Sequence, residues 1–340
     1  MAQIFGIGNP LLDIVMRASH ERLAEVGATP GSMNLVEYEQ QSAVVAVGED
    51  PQYVPGGSCA NTMRGIAWLA AADQVVGVDR VVYGGAVGRD AYAQRFAAAL
   101  AEANVVSALV HVDAPTGTSA ILVTPDWERT MFTHLGACRL FGREHVASIP
   151  KGTTTVHLAG YMWDTDSQKD AARHVVALAK AAGCRVSFDI ADPFVVDRFG
   201  DELAEYLPGN IDVLFGNREE LQRLSGEAGS DEATAAASLR FASTVVLKRG
   251  ADGCLVHTAE QSYSVPAFPV EALDSTAAGD AFAAGFLYGI ESGADLESCG
   301  RLANRVASGI VSVWGCRYDL LDANVTLAEG LRRSAQSGRA

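Results

Sequence analysis

Apolar runs typical of buried strands alternate along this chain with longer runs typical of helices. Such alternation predicts a mostly parallel sheet with helices on both faces. The 340 residues, 49% of them hydrophobic, can bury one large core or two smaller ones. The predicted strands cover residues 81–87, 154–158, 185–189, 211–215 and 244–247, and the predicted helices cover 62–71, 91–101, 168–181 and 195–206, with a further one starting near 218.

Two regions, 11–54 and 105–135, break this alternation. The second contains short alternating runs at 120–123 and 130–133 on either side of Pro125-Asp126, which predict strands of a small antiparallel sheet. A small sheet attached to an α/β domain can serve as a lid, because its closure excludes water from a reaction site. We therefore expect a lid formed by these two regions.

The charge and cysteine content exclude several classes of partner. A net charge of −15 argues against nucleic acid or an anionic membrane as a partner. The six cysteines are scattered without a C-x-x-C pair, which is typical of reduced thiols in the cytosol rather than of disulfides or zinc ligands. No segment is apolar over the length needed to span a bilayer. We expect a cytoplasmic protein.

The segment from Asp274 to Asp280 predicts a phosphoryl-transfer site. Its small residues precede an uncharged helical run, 281–290, and Ser275 or Thr276 can cap the start of that helix. Free N–H groups in the first turn can bind an anion, and Asp280 would lie beside it. A carboxylate there can remove a proton from an attacking hydroxyl. The alternative is that Asp280 only interacts favourably with the helix dipole.

Two segments nearer the N-terminus predict a site for a polyol. Asn9 and Asp13 follow a probable first strand, where α/β proteins bind ligands, and Asp13 can accept hydrogen bonds from two adjacent sugar hydroxyls. Gly56-Gly57 precedes a helical run and allows close backbone approach, while Asn61 can donate and accept hydrogen bonds. As alternatives, Asp13 is a turn or capping residue and the glycine pair is a simple turn. Gly6-Ile7-Gly8 lacks the third glycine of a dinucleotide-binding fingerprint.

These segments together resemble the signatures of the ribokinase-like (PfkB) carbohydrate kinase family. The C-terminal signature D-T-x-G-A-G-D-x-F is matched from Asp274 through Asp280, with Ala277 in place of the first glycine. The N-terminal signature G-G-x-x-x-N is matched by Gly56, Gly57 and Asn61, and N-x-x-E begins at Asn217. The resemblance implies one ribokinase-like α/β domain over residues 1–340. In this fold a mostly parallel central sheet is flanked by helices and carries a small antiparallel β lid.

The resemblance also implies a role for each motif. Asp280 is the catalytic base, and Ala277, Ala278 and Gly279 form the anion hole. Asn217 and Glu220 order the Mg²⁺ that bridges the ATP phosphates, largely through water, and carboxylate and amide oxygens suit that cation. Taken alone, the two residues could equally form a helix capping box. The segment 248–253 resembles the loop that lies along ATP, and the residues assigned to ATP are Asn217, Lys248, Gly250, Gly253, Thr276 and Asn304.

Several segments are similar to the adenosine kinase branch of the family: 8–14, 56–61, 115–118, 212–217 and 315–316. The resemblance assigns Asp13 to the ribose 2′- and 3′-hydroxyls, and Arg129 to the phosphates when the lid closes. Phe132 and His134 differ from the pattern of this branch, so the identity of the nucleobase stays open. The residues assigned to the nucleoside are Asn9, Asp13, Leu35, Gly56, Gly57, Ser58, Asn61, Met131, Thr133 and Met162, of which the apolar ones could equally be core residues.

The sequence thus predicts an ATP-dependent nucleoside kinase that converts adenosine to AMP in purine salvage. Mg²⁺ is the expected cofactor, and K⁺ is a candidate near Asp274 and the C-terminal loop. The alternatives are a kinase of the same family acting on another nucleoside or a sugar such as ribose or fructose, and a non-catalytic nucleoside-binding protein, which the replacement at Ala277 would explain. The resemblance favours a monomer over a homodimer.

Overall fold

The fold is given by a computed structural model, which describes residues 2–73, 77–126 and 128–331. Trp127, inside the second predicted lid region, lies outside the described residues. The strands are β1 (Ala2–Ile7), β2 (Leu11–Arg17), β3 (Met33–Leu35), β4 (Glu49–Gly56), β5 (Val78–Val87), β6 (Val105–His111), β7 (Gly117–Val123), β8 (Arg129–His134), β9 (Thr153–Ala159), β10 (Arg185–Asp189), β11 (Ile211–Asn217), β12 (Ala242–Lys248), β13 (Cys254–His257) and β14 (Ser262–Val265). The α-helices are α1 (His20–Glu25), α2 (Tyr38–Val47), α3 (Ser58–Ala72), α4 (Ala91–Glu102), α5 (Asp166–Ala181), α6 (Pro193–Tyr206), α7 (Arg218–Ser225), α8 (Asp231–Ser238), α9 (Ala278–Glu291), α10 (Leu296–Val311) and α11 (Ala323–Gly330).

A large sheet forms the centre of the molecule, with strand order β14-β13-β12-β11-β10-β9-β1-β5-β6. The strands from β12 to β6 run parallel, which confirms the predicted mostly parallel sheet flanked by helices. The antiparallel strands β13 and β14 follow β12, where the sequence analysis predicted no further strand. Each has only four residues, too few for a recognisable period.

A second sheet, with strand order β3-β8-β7-β2-β4, corresponds to the predicted lid. It is mixed rather than antiparallel: β2 pairs antiparallel with β4 and β7 with β8, but β2 with β7 and β3 with β8 are parallel. Between β2 and β7 the chain forms strands β5 and β6 of the large sheet, and such a long connection permits parallel pairing. The strand β6, placed in the lid region by the sequence analysis, instead pairs with β5 at the edge of the large sheet.

Apolar side chains bury both faces of the large sheet. One core joins α3, α9 and α10 to the sheet, the other packs α5 and α6 against the opposite face, and the small sheet has its own core with Phe132 and Leu122. All six cysteines are buried and none forms a disulfide. Among the described residues, no helix combines the length and the apolar character needed to cross a bilayer.

The carboxyl ends of several parallel strands meet at one edge of the large sheet. The ends of β1, β9, β10 and β12 face the first turns of α3 and α9, and the small sheet covers this edge. Ligand sites of open α/β sheets form at this position.

Candidate active site

A cavity of about 420 Å³ lies between the small sheet and the carboxyl edge of the large sheet, a size in the ordinary range of small-molecule sites. Most predicted site residues line it. They are Asn9, Asp13, Leu35, Gly57, Ser58, Asn61, Met131, Thr133, Met162, Lys248, Thr276, Ala277, Ala278, Gly279 and Asp280.

The first turn of α9 opens into this cavity without a side-chain cap. Ala277 is the N-cap residue and has left-handed backbone angles, φ 60° and ψ 14°. The prediction that Ser275 or Thr276 caps the helix is wrong, because neither side chain bonds to a first-turn N–H. Within the described residues the N–H groups of Gly279 and Asp280 have no acceptor, so they are available to an anion.

Asp280 is held by two side chains from the facing helix α3. Ser58 Oγ donates to one carboxylate oxygen at 2.6 Å, and Asn61 Nδ2 donates to the other at 3.0 Å. Burial raises the pKa of Asp280 to about 6, although both hydrogen bonds act to lower it. The carboxylate is therefore oriented, ionised at neutral pH and more basic than an exposed aspartate.

Asp13 lies against the glycine pair that precedes α3. A Cβ on Gly56 would lie 2.6 Å from both carboxylate oxygens of Asp13, and one on Gly57, where φ is +90°, would lie 2.3 Å from the Asn9 carbonyl oxygen. Burial raises the pKa of Asp13 to about 7 against the opposing charges of Arg129 and Arg64. The glycines allow two chain segments to approach each other closely, and Gly57, but not Gly56, lines the cavity.

Side chains along β8 point alternately to the two faces of the small sheet, and this decides which of them face the cavity. Met131, Thr133 and Leu135 line it, while Phe132 packs into the core of the small sheet. His134 is buried, and its Nδ1 lies 3.3 Å from the Val36 carbonyl oxygen. Phe132 and His134, the residues that left the base open in the sequence analysis, therefore lie outside the cavity wall.

Both the oxygen and the nitrogen of the Asn9 side chain form hydrogen bonds inside the protein. Its Oδ1 accepts a hydrogen bond from Gln168 Nε2 at 2.7 Å, and its Nδ2 donates to the Tyr161 carbonyl oxygen at 3.3 Å. Its side chain connects the end of β1 to α5 and to the segment after β9. These bonds hold Asn9 in the cavity wall, and the carboxylate of Asp13 lines the same cavity.

Arg129 and Asp274 form an ion pair that joins the small sheet to the segment before α9. Arg129 Nη1 also donates to Thr276 Oγ1 at 2.9 Å, and Asp274 accepts from the N–H groups of Thr276 and Gly315, each at 2.9 Å. Burial acts to raise the pKa of Asp274, but these hydrogen bonds and the Arg129 charge outweigh it, so the pKa lies below its usual value. The pair lines a second cavity of about 230 Å³ beside the first.

Asn217 and Glu220 form a capping box at the start of α7. Asn217 Oδ1 accepts from the Glu220 N–H at 2.9 Å, and Glu220 accepts from the Asn217 N–H at 2.8 Å. Burial raises the pKa of Glu220 to about 7 against the charge of Lys248. Neither residue lines the main cavity, and within the described residues no cluster of three or more His, Cys, Asp or Glu side chains could hold a metal.

Lys248 lies at the end of β12 and pairs with Asp189 at the end of β10. Its Nζ lies 2.9 Å from each carboxylate oxygen of Asp189. The sequence analysis did not select Asp189 or Asp192, although both line the cavity. The signal was present, because Asp189 ends a predicted strand at the edge where α/β proteins bind ligands.

Three residues assigned to ATP, Gly250, Gly253 and Asn304, lie outside the wall of the main cavity. Gly250 and Gly253 have φ of +59° and +87°, and a Cβ on Gly253 would lie 2.1 Å from the Val265 carbonyl oxygen. Asn304 Nδ2 donates to the carbonyl oxygens of Val265 and Pro266, each at 3.1 Å. These contacts shape the loops after β12 and β14.

Comparisons with known proteins agree with this geometry. A family model described as pfkB family carbohydrate kinase matches residues 21–323. The adenosine kinase of Dictyostelium discoideum is 29% identical over 318 residues, which cover 87% of this chain and 91% of that protein. The solved structure of adenosine kinase from Sinorhizobium meliloti superposes with a TM-score of 0.85 at 30% identity, covering 96% of this chain and 98% of the other. A probable sugar kinase from Rhizobium etli CFN 42 gives 0.86 at 28% identity, with the same coverage.

Proposed function

Because this chain belongs to the pfkB family of carbohydrate kinases and is a phosphotransferase that acts on a hydroxyl group, we propose that it is an ATP-dependent nucleoside kinase whose acceptor is the 5′-hydroxyl of adenosine. The product would be AMP. The family and the reaction class predicted from the motifs are confirmed; the acceptor and the roles of single residues are proposals.

The observation that carries this proposal is the position of Asp280. Its carboxylate is held by Ser58 and Asn61 beside the uncapped first turn of α9, where the N–H groups of Gly279 and Asp280 have no acceptor among the described residues. A base and an anion-binding turn at the same point are what transfer of a phosphoryl group to a hydroxyl requires.

In the proposed reaction Asp280 accepts the proton of the 5′-hydroxyl while the 5′-oxygen bonds to the γ-phosphorus of ATP. The bond from that phosphorus to the bridging oxygen breaks, and its electron pair leaves with ADP. The pKa of about 6 keeps Asp280 ionised at neutral pH, so it is ready to accept a proton. The open N–H groups of the first turn stabilise charge on the transferring phosphoryl group.

The rest of the cavity suits a nucleoside. Asp13 would accept hydrogen bonds from the ribose 2′- and 3′-hydroxyls, and Leu35, Met131 and Met162 would contact the base. The Ser119 and Thr133 hydroxyls, 2.9 Å apart, add a polar point on the lid side. An apolar wall of this kind favours a nucleoside over a free sugar, which would leave that wall without a partner.

ATP would enter from the side of Lys248 and Thr276, bringing Mg²⁺. The carboxylate of Glu220 and the amide of Asn217 suit binding of this cation through water. The charge of the cation would lower the pKa of Glu220, which burial raises. Bound Mg²⁺ would neutralise phosphate charge. K⁺ fits Asp274 less well, because that carboxylate already pairs with Arg129 and accepts two backbone hydrogen bonds.

The second candidate is a kinase of the same family for another nucleoside or a sugar, supported by the similarity to the probable sugar kinase from Rhizobium etli. Steady-state assays with Mg-ATP across adenosine, inosine, guanosine, cytidine, ribose and fructose separate the two. The highest kcat/KM for adenosine is the expected result, and a higher value for any other acceptor would replace our substrate. Nucleoside binding without turnover would indicate a non-catalytic protein.

A further inference from the structure

Lys248 occupies an unusual position for a lysine. Its side chain is largely buried, and its ammonium group lies against the first turn of α9, since a Cβ on Gly279 would be only 3.3 Å from Nζ. Gly279 therefore leaves room for the ammonium beside the open N–H groups of the anion hole. The ammonium and the base Asp280 line the same cavity.

Charge balance makes this ammonium important. Among the described residues that line the main cavity, Lys248 carries the only cationic side chain, whereas five aspartates line it. A phosphoryl group in transfer spreads negative charge over its oxygens, and backbone N–H groups supply only partial charges to meet it. A full positive charge at this point would stabilise the reaction.

Asp189 holds the ammonium in place. It contacts Nζ with both carboxylate oxygens at 2.9 Å, and these contacts occupy at most two of the three N–H bonds of Lys248. No other acceptor for Nζ exists among the described residues, so one N–H bond remains for a ligand. Burial lowers the pKa of Lys248, but the charges of Asp189 and Glu220 outweigh it, and the lysine stays protonated.

We propose that Lys248 is a further catalytic residue, which donates a hydrogen bond from Nζ to an oxygen of the γ-phosphoryl group, and that Asp189 is its positioning residue. This inference rests on the proposed kinase function. Lys248 keeps its proton throughout: the 5′-hydroxyl proton goes to Asp280, and the electron pair of the broken bond goes to ADP. The lysine thus acts at the reacting phosphate rather than along the remainder of ATP.

Two measurements test the assignment, with Lys248→Met, Lys248→Arg and the double variant Lys248→Met/Asp189→Asn. The double variant removes both charges, so it avoids the unpaired buried carboxylate that could unfold the single variant. Lys180→Met is the matched control, because it removes a Lys–Asp pair, with Asp212, on the surface. Thermal unfolding identifies the variants that fold.

The first measurement is steady-state kinetics. We expect kcat to fall roughly 10²- to 10³-fold in both methionine variants, as when one donor of an anion hole is lost, with KM for the nucleoside unchanged. Lys248→Arg should recover part of the loss, and Lys180→Met should match the wild type. A folded double variant with wild-type kcat would overturn the inference, whereas a wild type that phosphorylates no acceptor would overturn the proposed function instead.

The second measurement does not depend on turnover. Calorimetry compares binding of Mg²⁺ with AMP-PNP, which carries a γ-phosphate, and of Mg²⁺ with ADP, which does not. Loss of Lys248 should weaken AMP-PNP binding at least several-fold and leave ADP binding unchanged. Equal weakening of both ligands would show that Lys248 has only a structural role, and weakening of neither would show that it does not bind the γ-phosphate.

Discussion

Asp280→Asn tests the proposed base most directly, because it keeps the size and shape of the side chain and removes its charge. One oxygen can still accept from Ser58, but the new amide meets the Asn61 amide, which donates at 3.0 Å in the native protein. General-base catalysis contributes about 10²- to 10⁴-fold in rate. We therefore expect kcat to fall by about that factor at pH 7.5.

The same change should not destabilise the fold. A carboxyl group whose pKa is raised by burial from 3.8 to about 6 reduces the free energy of unfolding at neutral pH by about 3 kcal/mol. Asparagine removes that cost and loses one hydrogen bond to a charged group, about 1.5–3 kcal/mol. The net change lies between zero and a small gain, so Tm should stay constant or rise slightly while activity falls.

The assay is coupled detection of ADP formation with saturating adenosine and Mg-ATP, beside calorimetric adenosine binding and thermal unfolding. Asp197→Asn is the control, since Asp197 pairs with Arg223 on the surface, outside the cavity. That variant should keep wild-type kcat. If Asp280→Asn keeps kcat within threefold of the wild type, Asp280 is not the catalytic base. A fall in Tm that parallels the loss of activity would assign Asp280 a structural role.

Three further predictions concern the backbone and the pH dependence. Ala277→Gly removes the backbone strain of a left-handed alanine, about 1 kcal/mol, but also removes a packed methyl group that contributes about 0.8 kcal/mol. The free energy of unfolding, measured in urea, should therefore change by less than about 1 kcal/mol, and kcat should not fall. Gly57→Ala should destabilise the protein far more than Gly183→Ala, which also has positive φ but nothing within 4 Å of its Cβ, as chemical denaturation would show. As the pH falls from 8 to 5, the buried carboxyl groups with raised pKa take up protons in the folded protein at a higher pH than in the unfolded chain. The free energy of unfolding should therefore rise over this range as the pH falls. Over the same range kcat should decline below about pH 6, where Asp280 becomes protonated.

The sequence predicted β5 and β9 to β12 of the large sheet because these strands are long enough to be recognised as apolar runs between helical segments. It missed the four-residue strands β13 and β14 and assigned β6 to the lid. The family resemblance assigned Met131 and Thr133 to the nucleoside, and both line the cavity from β8. The mixed pairing of the small sheet was beyond reach, because it depends on where the chain re-enters after a long crossover. Local patterns carry no information on that path.

The sequence also did not predict contacts between residues that are far apart along the chain. Asp189 contacts Lys248, which lies 59 positions later, and Arg129 contacts Asp274, 145 positions away. No motif connects either pair, so the sequence assigned Arg129 to phosphate without revealing the carboxylate that holds it. The same applies to Asn9, whose side chain is engaged by Gln168, 159 positions away.

The hydrogen bonds of the capping box at Asn217 and Glu220 fit the structural alternative, but the burial of Glu220 separates the two explanations. A capping box is formed equally well by glutamine, which carries no charge. The carboxylate of Glu220 is buried, and burial raises its pKa to about 7, so a glutamate there costs stability that a glutamine would avoid. Capping explains the geometry but does not require the charge, which Lys248 offsets only in part, since the pKa of Glu220 stays raised. A nearby cation, brought with the phosphates of ATP, would account for the charge, which is why the functional role of Glu220 remains the stronger hypothesis even though its hydrogen bonds are those of a cap.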